Sequence, residues 1–153
     1  MKKKLFVAVM AFALLVTAGS MVLAQDKATP EDAKAMVEKA VAYAKENGKD
    51  KALAEFGNPQ GQFVKGELYV FAQSFDGVML AHGANPKMAG QNHLELKDAE
   101  GKQFVKEMIE VAKTKGSGWA EYRWTHPVTK KIQPKAAYVQ AMDGYFIGCG
   151  VYK

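Results

Sequence analysis

Between Gly118 and Val139 the chain places two stretches of strand-forming residues around a polar turn, and large amphipathic side chains crowd both. Trp119, Tyr122, Trp124 and Tyr138 each offer a broad apolar face with a polar tip. Pro134 denies the second stretch a backbone donor just ahead of Lys135. The segment reads as an antiparallel pair of strands, and two functions are open to it. Aromatic walls around a cation suit a small anion, because they exclude water and strengthen the charge-assisted bond. The alternative is an ordinary sheet with aromatic cross-strand pairs and a solvated lysine.

The first residues have a different character. Lys2, Lys3 and Lys4 precede the apolar run Leu5 to Val16, and small residues lead to Val22-Leu23-Ala24. This is the pattern of a secretory signal peptide over residues 1–24, cleaved between Ala24 and Gln25. An uncleaved anchor is the competing reading, since Leu5 to Ala24 approaches the length that spans a bilayer. Cleavage leaves 129 of the 153 residues, enough for a single domain over residues 25–153 with one core, periplasmic or secreted. The net charge falls from +5 to +2 as the three lysines leave, so the mature chain has no basic stripe to assign to nucleic acid. Cys149 is the one cysteine, which excludes an internal disulfide and requires the core to hold the fold unaided. Flanked by Gly148 and Gly150 in an apolar strand, it reads as a buried, inert thiol.

Thr29-Pro30-Glu31-Asp32 starts a helix: a capping hydroxyl, proline at the first helical position, then acids in the first turn. Ala33, Met36, Val37, Ala40, Val41 and Ala44 form its apolar stripe, and Asn47-Gly48 ends it. A short helix follows over Asp50 to Phe56. From Glu67 to Ser74 the pattern alternates, with Leu68, Val70 and Ala72 on one face and Tyr69, Phe71 and Gln73 on the other. Asp76-Gly77 turns the chain into a partner strand over Val78 to His82. Residues 83–97 have no periodicity, and a loop of that length in a compact domain reads as a functional lid over one sheet face. A second amphipathic helix carries Phe104, Val105, Met108, Ile109 and Ala112. The aromatic hairpin and a last strand, Tyr145 to Tyr152, complete the chain, and the glycines of that strand allow a close approach. The order predicts an α+β fold of PAS-like build. Five antiparallel strands carry the N-terminal helix on one side, with a loop and a helix over the other.

Several stretches in this order resemble the single Cache domain, type 2, an extracytoplasmic sensor module of bacterial chemoreceptors and sensor kinases. They are Gly66 to Phe71, Gly77 to His82, Asn85 to Asn92, Lys97 to Lys102, Gly116 to Trp124, Pro134 to Val139 and Gly148 to Tyr152. The resemblance implies a pocket on one sheet face for a short organic acid. Its walls would be Tyr69, Phe71, His82, Trp119, Tyr122 and Trp124, with Lys135 and Tyr138 facing the ligand carboxylate. Such domains continue into a transmembrane helix and a signalling domain, whereas this sequence ends at Lys153. The expectation is therefore a binder acting with a separately encoded membrane receptor or sensor kinase. A homodimer through the first helix stays open as a further partnership.

A buried lysine is costly without an anion, so Lys135 calls for a ligand or for an internal acid, with Glu121 the candidate. Arg123 falls on the opposite strand face from Tyr122 and Trp124, and reads as a surface residue or a sheet-edge pair. The separations among His82, His93 and His126 match no zinc spacing. Ser74, Ser117 and Cys149 lack a recognisable histidine companion, there is no Gly-x-Ser-x-Gly elbow, and no Cys-x-x-Cys-His attaches a haem. No cofactor and no catalysis are expected. The alternatives to a ligand binder are an interaction subunit that keeps the fold without a ligand and a metal-dependent enzyme using the histidines.

Overall fold

The computed structural model describes residues 26–153; the signal-peptide reading of residues 1–24 lies outside them. Helix α1 covers Pro30–Asn47 and opens on a reciprocal cap. The Asp32 amide donates to Thr29 Oγ1 at 3.2 Å, and the Thr29 amide donates to Asp32 Oδ2 at 2.9 Å. After Gly48, a second helix, α2, covers Lys49–Phe56.

The sheet follows: β1 (Val64–Lys65), β2 (Leu68–Ser74) and β3 (Met79–His82), then a single 3-10 turn at Pro86–Met88. Helix α3 (Phe104–Lys115) leads into β4 (Ser117–Thr125), β5 (Ile132–Ala141) and β6 (Tyr145–Tyr152). All described pairings are antiparallel, in the order β1-β2-β6-β5-β4, with β3 also on β2. The sheet has six strands where alternation predicts five. The additional one is β1, whose two residues are too few to show a period.

Period-2 alternation sorts the side chains into two cores. On one face Leu68, Val70 and Ala72 of β2 and Ile147, Cys149 and Val151 of β6 bury against Ala33, Val37, Ala40, Val41 and Ala44 of α1. The alanines let α1 lie close to the sheet. On the other face Tyr69, Phe71, Phe146, Ala137, Val139, Ala120 and Tyr122 pack under Phe104, Val105, Met108, Ile109 and Ala112 of α3.

The segment after β3 is tied to the β2–β3 turn by backbone bonds. Met79 N–H donates to the Gln91 carbonyl at 2.9 Å, Gly90 N–H to that of Met79 at 2.8 Å, and His93 N–H to that of Gly77 at 2.8 Å. Gly77 is required there twice over: its φ is +86°, and a Cβ would stand 2.7 Å from that of Leu94. The lid expected over residues 83–97 is thus laid down as an extra strand-like edge over the α3 face.

Candidate functional site

Lys135 is the unusual residue of the α3 face. It pairs directly with Tyr122 across β4 and β5 and with Tyr152 across β5 and β6, and only 1% of it is exposed. Its Nζ lies 4.1 Å from the Tyr69 ring centroid, 5.0 Å from that of Tyr152, and 5.9 Å from those of Phe71 and Tyr122. Aromatic faces attract a cation, yet they do not replace the water that a buried ammonium gives up. Among the described residues no carboxylate forms an ion pair with it. Glu121, the acid expected to pair with Lys135, is exposed and bonded to Lys153 at 2.6 Å. The cause is strand parity: Glu121 is one residue from Tyr122 and points to the opposite face. Burial lowers the Lys135 ammonium from 10.5 to about 7, against smaller opposing effects of Cys149 and Glu67.

Among the described residues the only hydrogen-bond acceptor of Lys135 is the Tyr69 hydroxyl, at 2.7 Å. Tyr69 and Tyr152 hydroxyls are 3.4 Å apart, and Tyr152 gives its hydrogen to the Thr125 carbonyl at 2.9 Å. Tyr69 therefore donates to Tyr152, and the direction of the whole chain is fixed from Lys135 to Thr125. Burial raises the pKa of both phenols, that of Tyr152 to about 12, so both stay protonated.

Two glycines of β6 make room for this arrangement. A Cβ on Gly148 would collide with the Phe71 ring, and one on Gly150 would stand 2.7 Å from Lys135 Cε. The close approach expected at these glycines is made by the chain's own Phe71 and Lys135.

Tyr69, Phe71 and Tyr122, three of the four rings around Nζ, also line a cavity of about 20 Å³. His82, His93, Gln73, Met79, Phe104, Val105, Met108 and Trp124 complete its wall. That volume holds about one water, so a larger guest requires Met79, Met108 or Trp124 to shift. His82 is oriented by its loop: the Asn85 amide donates to Nδ1 at 3.0 Å, so the neutral ring carries its proton on Nε2. Burial first, then the neighbouring Lys135 and His93, lower His82 to about 3 and keep it neutral. His82 and Lys135 share two rings, His82 packing tilted against Tyr69 at 4.7 Å and stacked on Phe71 at 6.4 Å. The face thus offers a cation and a neutral N–H donor in an apolar, aromatic setting, which is the complement of a carboxylate.

The structure gathers Tyr69, Phe71, His82, Tyr122 and Trp124 at the cavity, with Lys135 against its wall. It does not bring Trp119 or Tyr138 there. Each lies three residues from its expected neighbour, Trp119 from Tyr122 and Tyr138 from Lys135, and an odd separation in a strand reverses the face. They pack on each other at 5.4 Å on the α1 side, with Tyr138 in that core and Lys34 over its ring. Arg123 shares that side's parity and bonds Glu100 at 2.6 Å. Residues not anticipated in the site are Tyr152, Gln73, Met79, His93 and the α3 side chains. Tyr152 was legible from the parity it shares with Gly148 and Gly150; His93 carried no signal in sequence beyond lying in the long loop.

A larger groove, about 710 Å³, runs between the start of α1 and the β1–β2 turn, where Glu67 and His126 face each other at 3.0 Å. It is open, and Asp26, Lys27, Asp32, Lys39 and Lys65 give it alternating charge. It lacks the desolvated cation and the aromatic walls, so the smaller cavity is the stronger candidate despite its size.

The profile of the family described as Single Cache domain 2 matches residues 8–153. The chain is 34% identical over 86 residues to the sensor histidine kinase MctS of Rhizobium johnstonii, covering 55% of this chain and 18% of that protein. It is 34% identical over 76 residues to the methyl-accepting chemotaxis protein McpP of Pseudomonas putida, covering 48% of this chain and 14% of that protein. The chain thus spans less than a fifth of these relatives. Among solved structures, a Cache chemosensory domain studied for carboxylic acid recognition is 28% identical, with a TM-score of 0.62 over 80% of this chain and 86% of its own. The periplasmic sensor domain of a chemotaxis protein is 26% identical, with a TM-score of 0.63 over 80% and 88%. A methyl-accepting chemotaxis protein from Vibrio parahaemolyticus shares the fold, at 21% identity and a TM-score of 0.68 over 80% and 86%.

Proposed function

This chain belongs to the single Cache domain 2 family, and from that premise we propose that it is an extracytoplasmic sensor domain that binds a short organic carboxylate. One observation carries the proposal. Lys135 is fully enclosed, has no acidic partner among the described residues, and is bonded only to a neutral phenol. A protein tolerates so costly a group where something is gained from it, and an incoming carboxylate supplies the missing countercharge. In this account the carboxylate takes an oxygen to Lys135 Nζ in place of the Tyr69 hydroxyl and accepts from His82 Nε2–H. The aromatic wall excludes the water that would weaken both bonds.

Homology to domains of a sensor kinase and a chemoreceptor supports signalling as the use of that binding. None of the described helices is long and apolar enough to cross a membrane. We propose as its partner a membrane-bound receptor or kinase that reads the loaded domain, and export by a signal peptide over residues 1–24 would place the two together. No catalytic step is part of this proposal.

The small cavity favours a second reading, an interaction subunit that keeps the fold without a ligand. Thermal unfolding against acetate, propionate, glycolate, lactate and pyruvate separates the two. An acid at about 100 times its Kd adds about 2.7 kcal/mol to stability, a readily measured shift. A shift with a carboxylate that disappears in Lys135→Met supports the sensor; a protein unmoved by every acid supports the interaction subunit.

A further inference from the structure

His93 lines the same cavity with 8% of its surface exposed, and its Nδ1 is buried without a hydrogen-bond partner among the described residues. Its other nitrogen is committed. Nε2 lies 3.3 Å from Gln91 Oε1, and the Gln91 amide is fixed in turn, because its Nε2 donates to the Lys87 carbonyl at 3.0 Å. Gln91 therefore presents an acceptor to His93, which gives its one ring proton to it. What remains at Nδ1 is a lone pair. Burial lowers the pKa of His93, which keeps the ring neutral and Nδ1 unprotonated. The backbone holds the ring in place through the bond from His93 N–H to the Gly77 carbonyl.

We infer that His93 Nδ1 accepts a hydrogen bond from a hydroxyl of the ligand, and that the site selects a short 2-hydroxy acid over the unsubstituted or 2-oxo acid of the same length. The inference rests on the carboxylate reading above and adds a third contact to it. Lys135 and His82 supply a cation and a donor for the carboxylate. His93 supplies an acceptor, which only a substituent carrying a hydrogen can satisfy. A methylene leaves the buried nitrogen unpaired, and a ketone sets one acceptor against another; both lose affinity, since buried unpaired groups are penalised more than a good bond is rewarded. A site built to bond a hydroxyl rejects the analogue lacking it far more strongly than an apolar pocket rejects one methylene.

Calorimetric titration of the protein with matched acids tests the inference. Glycolate is compared with acetate, and lactate with propionate and pyruvate, in wild type and in His93→Phe. The expected result is a preference of about tenfold or more for each hydroxy acid in wild type, reduced to near parity in the variant. A nitrogen-15 spectrum of the wild-type histidines gives a readout that does not depend on the variant folding. Nδ1 of His93 should show the unprotonated shift and move on adding glycolate, with a much smaller change on adding acetate. Equal affinities within the pairs, pyruvate matching lactate, a preference that survives in His93→Phe, or a proton on Nδ1 would each overturn the inference while leaving the carboxylate reading standing. Binding of no acid at all would overturn both.

Discussion

Lys135 Nζ donates to the hydroxyl of Tyr69, 66 residues away in sequence, at 2.7 Å, and lies 4.1 Å from the centre of the same ring. One phenol thus serves the ammonium as both acceptor and π-face. The arrangement is weaker than an ion pair: the oxygen is neutral, and the phenol's own hydrogen is directed to Tyr152. The chain has folded a charge into its interior and left its strongest interaction unmade.

Lys135→Met keeps the length of the stem and removes the charge. We expect no loss of stability and a gain of up to about 1–4 kcal/mol, because a buried ionic group is exchanged for apolar volume. Binding of any carboxylate should weaken by about 2 kcal/mol or more, the usual cost of removing one member of a desolvated charged contact. Chemical denaturation and calorimetry read the two effects separately, and a variant that lost stability while keeping affinity would contradict the assignment.

The lowered pKa of Lys135 sets a pH dependence. Its value falls from 10.5 to about 7 on folding, so between these limits the unfolded chain binds more protons than the native one. Stability of the free protein should therefore rise with pH from about 7 towards 10.5, and the slope should flatten in Lys135→Met. Carboxylate affinity has the opposite trend. The bound anion favours the ammonium, so affinity should fall about tenfold per pH unit above 7, with uptake of about one proton per site at pH 8 to 9. Titrations in buffers of different ionisation heat measure that uptake directly.

Gly150→Ala places a methyl 2.7 Å from Lys135 Cε and from the Ala136 carbonyl oxygen. Backbone on one side and a tightly enclosed stem on the other leave little room to yield. The expected cost is about 1–3 kcal/mol of stability, together with weakened carboxylate binding. Gly148→Ala should act in the same way through the Phe71 ring.

Trp119→Phe and Tyr138→Phe test the reverse proposition. Both side chains lie on the α1 face, and Trp119 is 39% exposed. We expect carboxylate affinity within about twofold of wild type for either variant and small stability changes. A large loss of affinity in Trp119→Phe would show that the ligand reaches the face opposite to Lys135.

Alternation made much of this architecture legible. The division of β2 into Leu68, Val70 and Ala72 against Tyr69, Phe71 and Gln73 is the division between the two cores. The same parity rule that placed Arg123 away from Tyr122 also separates Trp119 from Tyr122 and Tyr138 from Lys135. Their aromatic character drew them into the expected pocket against it. Glu121 illustrates a different limit: its partner, Lys153, follows β6 and reaches across β5 to β4, an arrangement set by the strand order, which no local pattern reveals. The role of His93 depends on a further level of detail. Only the bonds among Gln91, Lys87 and Gly77 determine which of its nitrogens is free.

The central claim is that a carboxylate is held beside Lys135, and a crystal structure of the protein grown with acetate or glycolate tests it most directly. The account predicts a carboxylate oxygen about 3 Å from Lys135 Nζ and another within reach of His82 Nε2, with the Tyr69 hydroxyl displaced from Nζ. An acid lodged instead in the groove beside Glu67 and His126, with Lys135 still bonded to Tyr69 alone, would contradict it.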